Sequence, residues 1–484
     1  MKSWFVFVVV CVTALVLYLS TAAPSLTWAH SGTDGGDLIS AALTNGVAHP
    51  PGYPTYVTIG QLVARIPLGD LAYRFTLLSA VSMALAAGFT TLSILSLSRR
   101  PLVAILAGLF FATAPMVWGQ ATITEVYALN AVFVAGIAYL ITPIVFRGEP
   151  VSLFRLALAA WLWGVAFGNS VTVAALAPLV IIAWWRARTT TSVRRATWLP
   201  LIAFVIGLSV YWLIPLRAAS QPPINWGDAT TPDRFFALIS AELYRGYALS
   251  TPPQELLARL VAFAQLVVMQ YGWLGVALGA IGLYHALITL NRNWRWLALT
   301  IVLYLLFALS YNTPDSAVYL IPVWIFGAWA IARGMLSIII WAGGHLRRVQ
   351  PAILLLLIFL FGPVLNVITQ YPAMNLRDDH AAVDFANSVL TSAPQDALII
   401  TGSDGHTFAL WYYRFAAGSR PDLAIVDRRA AGYAWYAAML TAQGAAPQLP
   451  EYDPEDSWLN RLATLNSGRR ICVVAETTAQ LTCN

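Results

Sequence analysis

The chain has 484 residues, of which 59 % are hydrophobic and 10 % charged, and it carries a formal net charge of +6. Soluble domains hold about 25 % charged residues, so a water-soluble fold is excluded and lipid must solvate most of the apolar surface. Nucleic acid is excluded as the partner of the positive charge: the arginines fall in short gaps between apolar runs, where they set membrane topology, and the one lysine is Lys2.

A membrane span needs about 20 apolar residues. Eleven runs approach that length: 4–23, 74–97, 102–118, 126–146, 153–168, 170–185, 197–216, 270–290, 296–311, 316–340 and 351–369. The pair 153–168 and 170–185 reads as a hydrophobic hairpin broken at Gly168-Asn169-Ser170, and 254–290 has room for a surface helix ahead of its span. The first run lies between Lys2 and Thr21-Ala22-Ala23, the order of a signal peptide. It is long for one and is read as a retained span. The polar gaps then alternate between two sides. Lys2, Arg99, Arg100, Arg147, Arg155, Arg186, Arg188, Arg194, Arg195, Arg292, Arg295, Arg333, Arg347 and Arg348 fall on one; Arg65, Arg74, Arg217, Arg234, Arg245 and Arg259 fall on the other. Fourteen against six places the N-terminus in the cytoplasm, and an odd number of spans then puts the C-terminus outside.

The first outer loop, from His30 to Pro54, is the most informative segment. It holds two acids (Asp34, Asp37), two histidines (His30, His49) and Tyr53 beside a stiff Pro50-Pro51-Gly52-Tyr53-Pro54 run. A short helix is expected from near Asp37 to Gly46, with Asp34 or Asp37 capping its start. Such a cap alone is a common structural use of aspartate, but the density of titratable groups makes the loop a candidate site. A carboxylate held ionised near a helix N-terminus can take a proton from a hydroxyl nucleophile.

In the second outer loop, Thr124 and Glu125 either cap the following helix or turn Glu125 and Tyr127 toward the same cavity; Asn130, deeper along that helix, reads as a packing contact. In the fourth, Arg217 at the end of its span is either a snorkelling cation or a fork for phosphate. Asn225, Trp226 and Asp228 follow, with Trp226 an interfacial anchor or a platform for a sugar ring. Arg245 and Tyr247 fall on an expected surface helix, and Asp315 in the Tyr311–Asp315 loop reads as a cap.

Residues 371–484 change character. Ala397–Thr401, Leu423–Val426 and Ile471–Val474 read as strands and 406–417 as a helix, which together suggest a small α/β domain after a membrane domain over 1–370. Asp404-Gly405-His406 reads as a turn. Cys472 and Cys483 lie in this region; two free thiols are the simpler expectation and one disulfide the alternative, while Cys11 packs within the first span. Walker, H-E-x-x-H, C-x-x-C and G-x-S-x-G patterns are absent.

The stretch Gly32–Pro54, above all Gly46-Val-Ala-His-Pro-Pro-Gly-Tyr-Pro54, resembles the N-terminal signature of the transmembrane protein 260 family. Glu125–Asn130, Pro215–Arg217, Asn225–Asp228 and the segment Arg377–Asp427 are similar to its later motifs. The resemblance covers most of the chain. It implies a mainly α, polytopic membrane GT-C fold, here with about eleven transmembrane helices and a small C-terminal extracytoplasmic α/β domain. It also implies transfer of a hexose, mannose in the animal members, from a polyprenyl- or dolichyl-phosphate donor to an acceptor hydroxyl, with inversion. The base falls on Asp34, which matches the family's first acid, and Asp37 matches its second. The chain departs from the family pattern with Thr33 for Gly, Gly35 for Ser and Asp37 for Glu.

The expected site therefore has Asp34 and Asp37 as catalytic acids, with His49, Tyr53, Glu125, Tyr127, Arg217, Asn225, Trp226 and Asp228 holding substrates. The expected partners are membrane lipid, the lipid-phosphate sugar and a protein or glycan acceptor. No cofactor is expected beyond the donor itself, and a divalent ion on Asp34, Asp37 and His30 is not favoured. A transporter or lipid flippase is the main rival, and it would place charges mid-span, where this chain has almost none. A non-catalytic membrane assembly protein is the other.

Overall fold

The computed structural model describes residues 2–150, 152–190, 193–289, 293–345, 351–444, 447–451, 457–476 and 480–484. Arg292, Arg347 and Arg348 lie outside the described residues. Every apolar run forms helix, because a chain in lipid must satisfy its backbone polar groups internally. Among the described residues, seven helices are long and apolar enough to cross a membrane. An eighth is a pair, Pro101–Ala112 and Pro115–Ala121, bent by 69°. Ser3–Leu19, Leu153–Phe167 and Trp294–Ser310 are shorter apolar helices. The chain is thus a multi-pass membrane protein.

The first run belongs to the packed bundle. Ser3–Leu19 buries Val6, Val10, Ala14 and Tyr18, and the Tyr18 hydroxyl donates to the Ala112 carbonyl at 2.9 Å. The hairpin breaks where expected, with Leu153–Phe167 ending at Gly168. The stretch 254–290 holds two helical segments within Leu256–Ile288, which meet at a kink at Gly272, whose φ of 61° only glycine adopts without strain, so one segment does precede the 270–290 run.

The C-terminal portion holds a four-stranded sheet in the order β2-β1-β3-β4, with β1 Leu398–Thr401, β2 Ala424–Asp427, β3 Ile471–Val474 and β4 Leu481–Cys483. The first three strands match the alternation read from sequence and run parallel; β4 is short, antiparallel to β3 and was not anticipated. Cys472 and Cys483 stand opposite each other on β3 and β4 and form a disulfide, so the free-thiol expectation is corrected. The Asp404 region is also corrected: it is no turn but the start of a helix, Asp404–Trp411, capped by the Ser403 hydroxyl, which accepts from His406 N–H at 3.4 Å. The six-residue tail of the expected 406–417 helix continues as a wider turn over Tyr412–Ala416.

Several loops gather with this sheet at one end of the bundle. Leu376 N–H donates to the Thr21 carbonyl (2.9 Å) and Ala23 N–H to the Thr122 carbonyl (3.0 Å). The Tyr412 hydroxyl reaches the Asp70 carboxylate at 3.1 Å, and Gln443 Nε2 reaches the Pro223 carbonyl at 2.8 Å. The first, second and fourth of the loops and the C-terminal sheet therefore meet at one end of the bundle.

Candidate active site

The first loop folds into the helix Gly35–Leu43, which starts and ends earlier than expected. Neither aspartate caps it: Asp34 occupies the N-cap position but its side chain accepts no capping hydrogen bond. That frees both carboxylates for other contacts. The helix lies flat against Asp404–Trp411, so close that a Cβ on Gly36 would stand 2.0 Å from the Phe408 carbonyl. Glycine at position 36 is what permits this approach.

His49 lies between the two acids. Its Nδ1 is 2.7 Å from Asp37 Oδ2 and its Nε2 is 3.3 Å from Asp34 Oδ2. Asp37 is fully buried and accepts two further bonds, from His49 N–H at 3.0 Å and from Trp226 Nε1 at 2.9 Å. It is thus a buried anchor for the imidazole. Asp34 differs in that 31 % of its side chain is exposed, on the wall of a cavity of about 600 Å³. Burial disfavours a charged imidazole, but Asp34 and Asp37 prevail and hold His49 well above the usual histidine range. Burial would likewise raise Asp34, and the His49 charge overrides it, lowering the carboxyl below its ordinary value. Glu125 behaves oppositely. Burial first, then the Asp34 charge, pushes it well above the usual carboxylate range. Its Oε2 accepts from Val126 N–H at 3.3 Å, while Oε1 is buried with no hydrogen-bond partner. The two carboxyls are thus shifted in opposite directions, Asp34 down and Glu125 up.

Of the expected site residues, Asp34, His49, Tyr53 and Tyr127 line this cavity. Tyr53 sits at a left-handed φ of 44°, unusual for a bulky residue, directly before Pro54, and its ring meets His49 edge-on at 5.0 Å. Asp315 makes no side-chain cap and lines the cavity as well.

The other expected contacts are corrected. Arg217 is buried and donates to Thr58 Oγ1 at 2.9 Å and Gln61 Oε1 at 3.5 Å, and it is not among the lining residues. Trp226 is 5 % exposed and spends its N–H on Asp37, which leaves it neither an interfacial anchor nor an open platform. Asn225 bridges the backbone of Val47, and Asp228 pairs with Arg234; they clasp the fourth loop to the first rather than face the cavity. His30 points away, its ring against Gly119 and its carbonyl accepting from Gln120 Nε2 at 2.7 Å. Among the described residues, no group of three His, Cys, Asp or Glu side chains is arranged to hold a metal.

Sequence alone did not assign three features of the cavity. Arg245 is the one arginine among its described lining residues; its side chain is 64 % exposed and only loosely held by Glu242, at 3.5 Å. A run of tyrosines forms one wall, with Tyr127 edge-on to Tyr319 and Tyr319 edge-on to Tyr311, both at 5.7 Å. Asp404 and Phe408, one turn apart on the C-terminal helix, close the cavity from above. Their placement depends on contacts hundreds of residues apart, which no local pattern reveals. A second, more open cavity of about 650 Å³, lined by Phe167, Tyr211 and Phe236 and also by Asp233 and Glu242, shares Val171, Ser240 and Arg245 with the first.

Fold and comparisons agree on the class, a multi-pass membrane protein of GT-C fold. ArnT from Cupriavidus metallidurans in the apo state superposes with a TM-score of 0.62 at 15 % identity, covering 98 % of this chain and 94 % of that one. Its structure bound to undecaprenyl phosphate gives 0.54 at 14 % identity, over 89 % and 91 % of the two chains. At such identities the likeness concerns the fold. Within that class the chain is TMEM260-like, as the first-loop motif implied. The Protein O-mannosyl-transferase TMEM260 N-terminal domain matches residues 34–185, and TMEM260-associated domain 2 matches residues 382–452. The mouse protein O-mannosyl-transferase TMEM260 is 27 % identical over 468 residues, 90 % of this chain and 64 % of its own length. The Dictyostelium discoideum protein of the same name is 24 % identical over 482 residues, 89 % of this chain and 58 % of its own length. The chain thus spans less than two thirds of the length of these relatives.

Proposed function

We propose that the chain is an inverting membrane glycosyltransferase that moves a hexose, mannose in the first instance, from a polyprenyl- or dolichyl-phosphate to a protein Ser/Thr hydroxyl. One observation carries this: Asp34, an ionised and accessible carboxylate, and Arg245, a loosely held cation, line one polar cavity, which shares Val171, Ser240 and Arg245 with a groove lined by Phe167, Tyr211 and Phe236 and also by Asp233 and Glu242. A lipid-phosphate sugar has the same three parts in the same order. Its tail suits the groove, its phosphate suits Arg245 and its sugar suits the tyrosine-walled cavity. The names of the relatives and the undecaprenyl phosphate bound to ArnT support donor and reaction alike.

In this mechanism the acceptor hydroxyl oxygen attacks the anomeric carbon while Asp34 takes its proton. The bond from that carbon to the phosphate oxygen breaks, and the electron pair leaves with the lipid phosphate. Arg245 meets the charge that develops there. General-base assistance contributes about 10²–10⁴-fold. His49, charged and fixed by Asp37, keeps Asp34 ionised and oriented. No resident cofactor is needed, since the lipid-phosphate sugar is itself a substrate. The site lies on the extracytoplasmic face, with the N-terminus cytoplasmic, eleven helices spanning and 371–484 acting as an outer domain. The arginine bias and the Cys472–Cys483 disulfide, which suits an oxidising compartment, both support this orientation.

The test is incorporation of labelled mannose from dolichyl- or undecaprenyl-phosphate mannose into Ser/Thr-containing protein by the purified chain in nanodiscs. Incorporation that disappears in Asp34→Asn is the expected result. A purified, folded chain that transfers nothing from either donor overturns the proposal.

A further inference from the structure

The C-terminal sheet does more than sit on the membrane portion. It turns the carboxyl ends of its parallel strands toward the cavity, the edge at which open α/β sheets bind ligands. β1 runs into Ser403 and Asp404, β2 ends at Asp427 with Arg429 just beyond, and Glu476 follows β3 so closely that a Cβ on Gly402 would lie 2.1 Å from its carboxylate. Arg429 Nη2 holds Asp404 Oδ1 at 2.6 Å and Asp427 Oδ2 at 2.8 Å. Asp427 is buried and fixes the guanidinium, whereas Asp404 and Arg429 keep 49 % and 46 % of their side chains exposed. Asp404 lines the cavity together with Asp34.

The pair offers a carboxylate that accepts hydrogen bonds and a guanidinium that donates them, side by side where the helix Asp404–Trp411 begins and the chain turns after β2. Extended polypeptide backbone presents the complement, an amide N–H and a carbonyl from neighbouring residues. The position fits the same occupant. The groove shares Val171, Ser240 and Arg245 with the cavity, whereas Asp404 comes from the C-terminal portion and is not among the groove's lining residues. From these relationships we infer that Asp404 and Arg429 form an acceptor subsite, which binds a polypeptide segment by its backbone and presents its hydroxyl to Asp34. This rests on the glycosyltransfer proposed above and gives the acceptor a place within it. Asp404 is a binding and positioning residue, with no part in bond making.

The experiment compares wild type with Asp404→Asn and Asp404→Glu in nanodiscs. The donor is dolichyl-phosphate mannose and the acceptor a pool of synthetic Ser/Thr-containing peptides; mannosylated peptide and mannose released to water are both followed. Asp404→Asn is expected to raise KM for peptide by about tenfold or more and leave KM for donor within about twofold, a split that marks loss of acceptor binding alone. It should also divert turnover toward released mannose. Asp404→Glu, which keeps the charge, should recover most of the peptide affinity. A fall in kcat with unchanged peptide KM, or equal rises in both KM values, overturns the subsite while leaving glycosyl transfer standing. Transfer only to added free sugars overturns the polypeptide assignment. Neither transfer nor release by wild type overturns the glycosyltransfer proposal, and the subsite with it.

Discussion

Phe408 lies nearly parallel to the imidazole of His49, with 6.0 Å between ring centroids and 17° between planes. A residue of the C-terminal α/β portion thus covers the histidine that bridges Asp34 and Asp37 in the first loop. The cover limits water at the pair and keeps the imidazole in one plane, so the charge relation among the three groups is set by both ends of the chain.

That relation fixes the pH behaviour. A histidine in an unfolded chain titrates near about 6.5. In the fold His49 titrates higher, so its ion pairs are fully formed below the unfolded value and are lost as pH rises through the folded one. Asp34 is lowered, so its contribution is present above its unfolded value and lost as pH falls through the folded one. The rate of transfer should therefore hold a plateau across neutral pH with an alkaline limb above the usual histidine range. His49→Gln should remove that limb and cost about tenfold or more in kcat. An alkaline limb that survives the substitution would assign it to another group.

Asp34→Asn should abolish transfer, a loss of about 10²–10⁴-fold, and leave the protein folded in membranes. The measurement is single-turnover transfer alongside thermal unfolding in detergent. Wild-type rates in this variant would remove Asp34 from the chemistry.

The two arginines should separate. Arg245→Ala is expected to raise KM for the lipid-phosphate sugar by about tenfold or more with little change in melting temperature, because its side chain is largely exposed. Arg217→Ala strips the hydrogen bonds to Thr58 and Gln61 from a buried site and should instead lower stability by about 1–3 kcal/mol. Reversed outcomes would return the phosphate to Arg217.

Glu125 carries a stability signature. Its raised folded value means the native state keeps a proton that the unfolded chain releases, so stability falls as pH rises through the interval between the two. Glu125→Gln copies the neutral acid. It should melt at the same or a higher temperature near neutral pH and flatten the decline. A lower melting temperature at neutral pH would show that the carboxyl is ionised in the fold.

Trp226→Phe removes one of the donors from the buried Asp37 carboxylate, at a cost of about 1–3 kcal/mol. Because Asp37 positions His49, kcat should also fall, with KM for donor nearly unchanged. A loss confined to donor binding would restore Trp226 to the substrate.

The sequence made some of this legible and hid the rest for physical reasons. Hydropathy locates helices wherever lipid is the solvent, and the apolar runs are helical, though 102–118 is split into two helices bent by 69°. Asp34, His49, Tyr53 and Tyr127 were visible because they cluster within loops that face one side. Arg217 and Trp226 were misassigned because charge and aromaticity say nothing about burial: both turned inward to satisfy polar groups of the first loop and its neighbouring helix. The Asp34 cap failed because an aspartate at the start of a helix can as well face outward to an imidazole. Asp404 and Phe408 were out of reach of any local pattern, since what matters about them is a neighbour from the opposite end of the chain.

The hydrogen bond from Trp226 to Asp37 joins positions 189 residues apart. During synthesis the first loop is made long before its partner indole exists, and longer still before Phe408 arrives. On the proposed function, a nascent chain therefore stays inert until its final portion has been made and seated on the first loop. Truncated or stalled products would then lack the proposed transfer altogether.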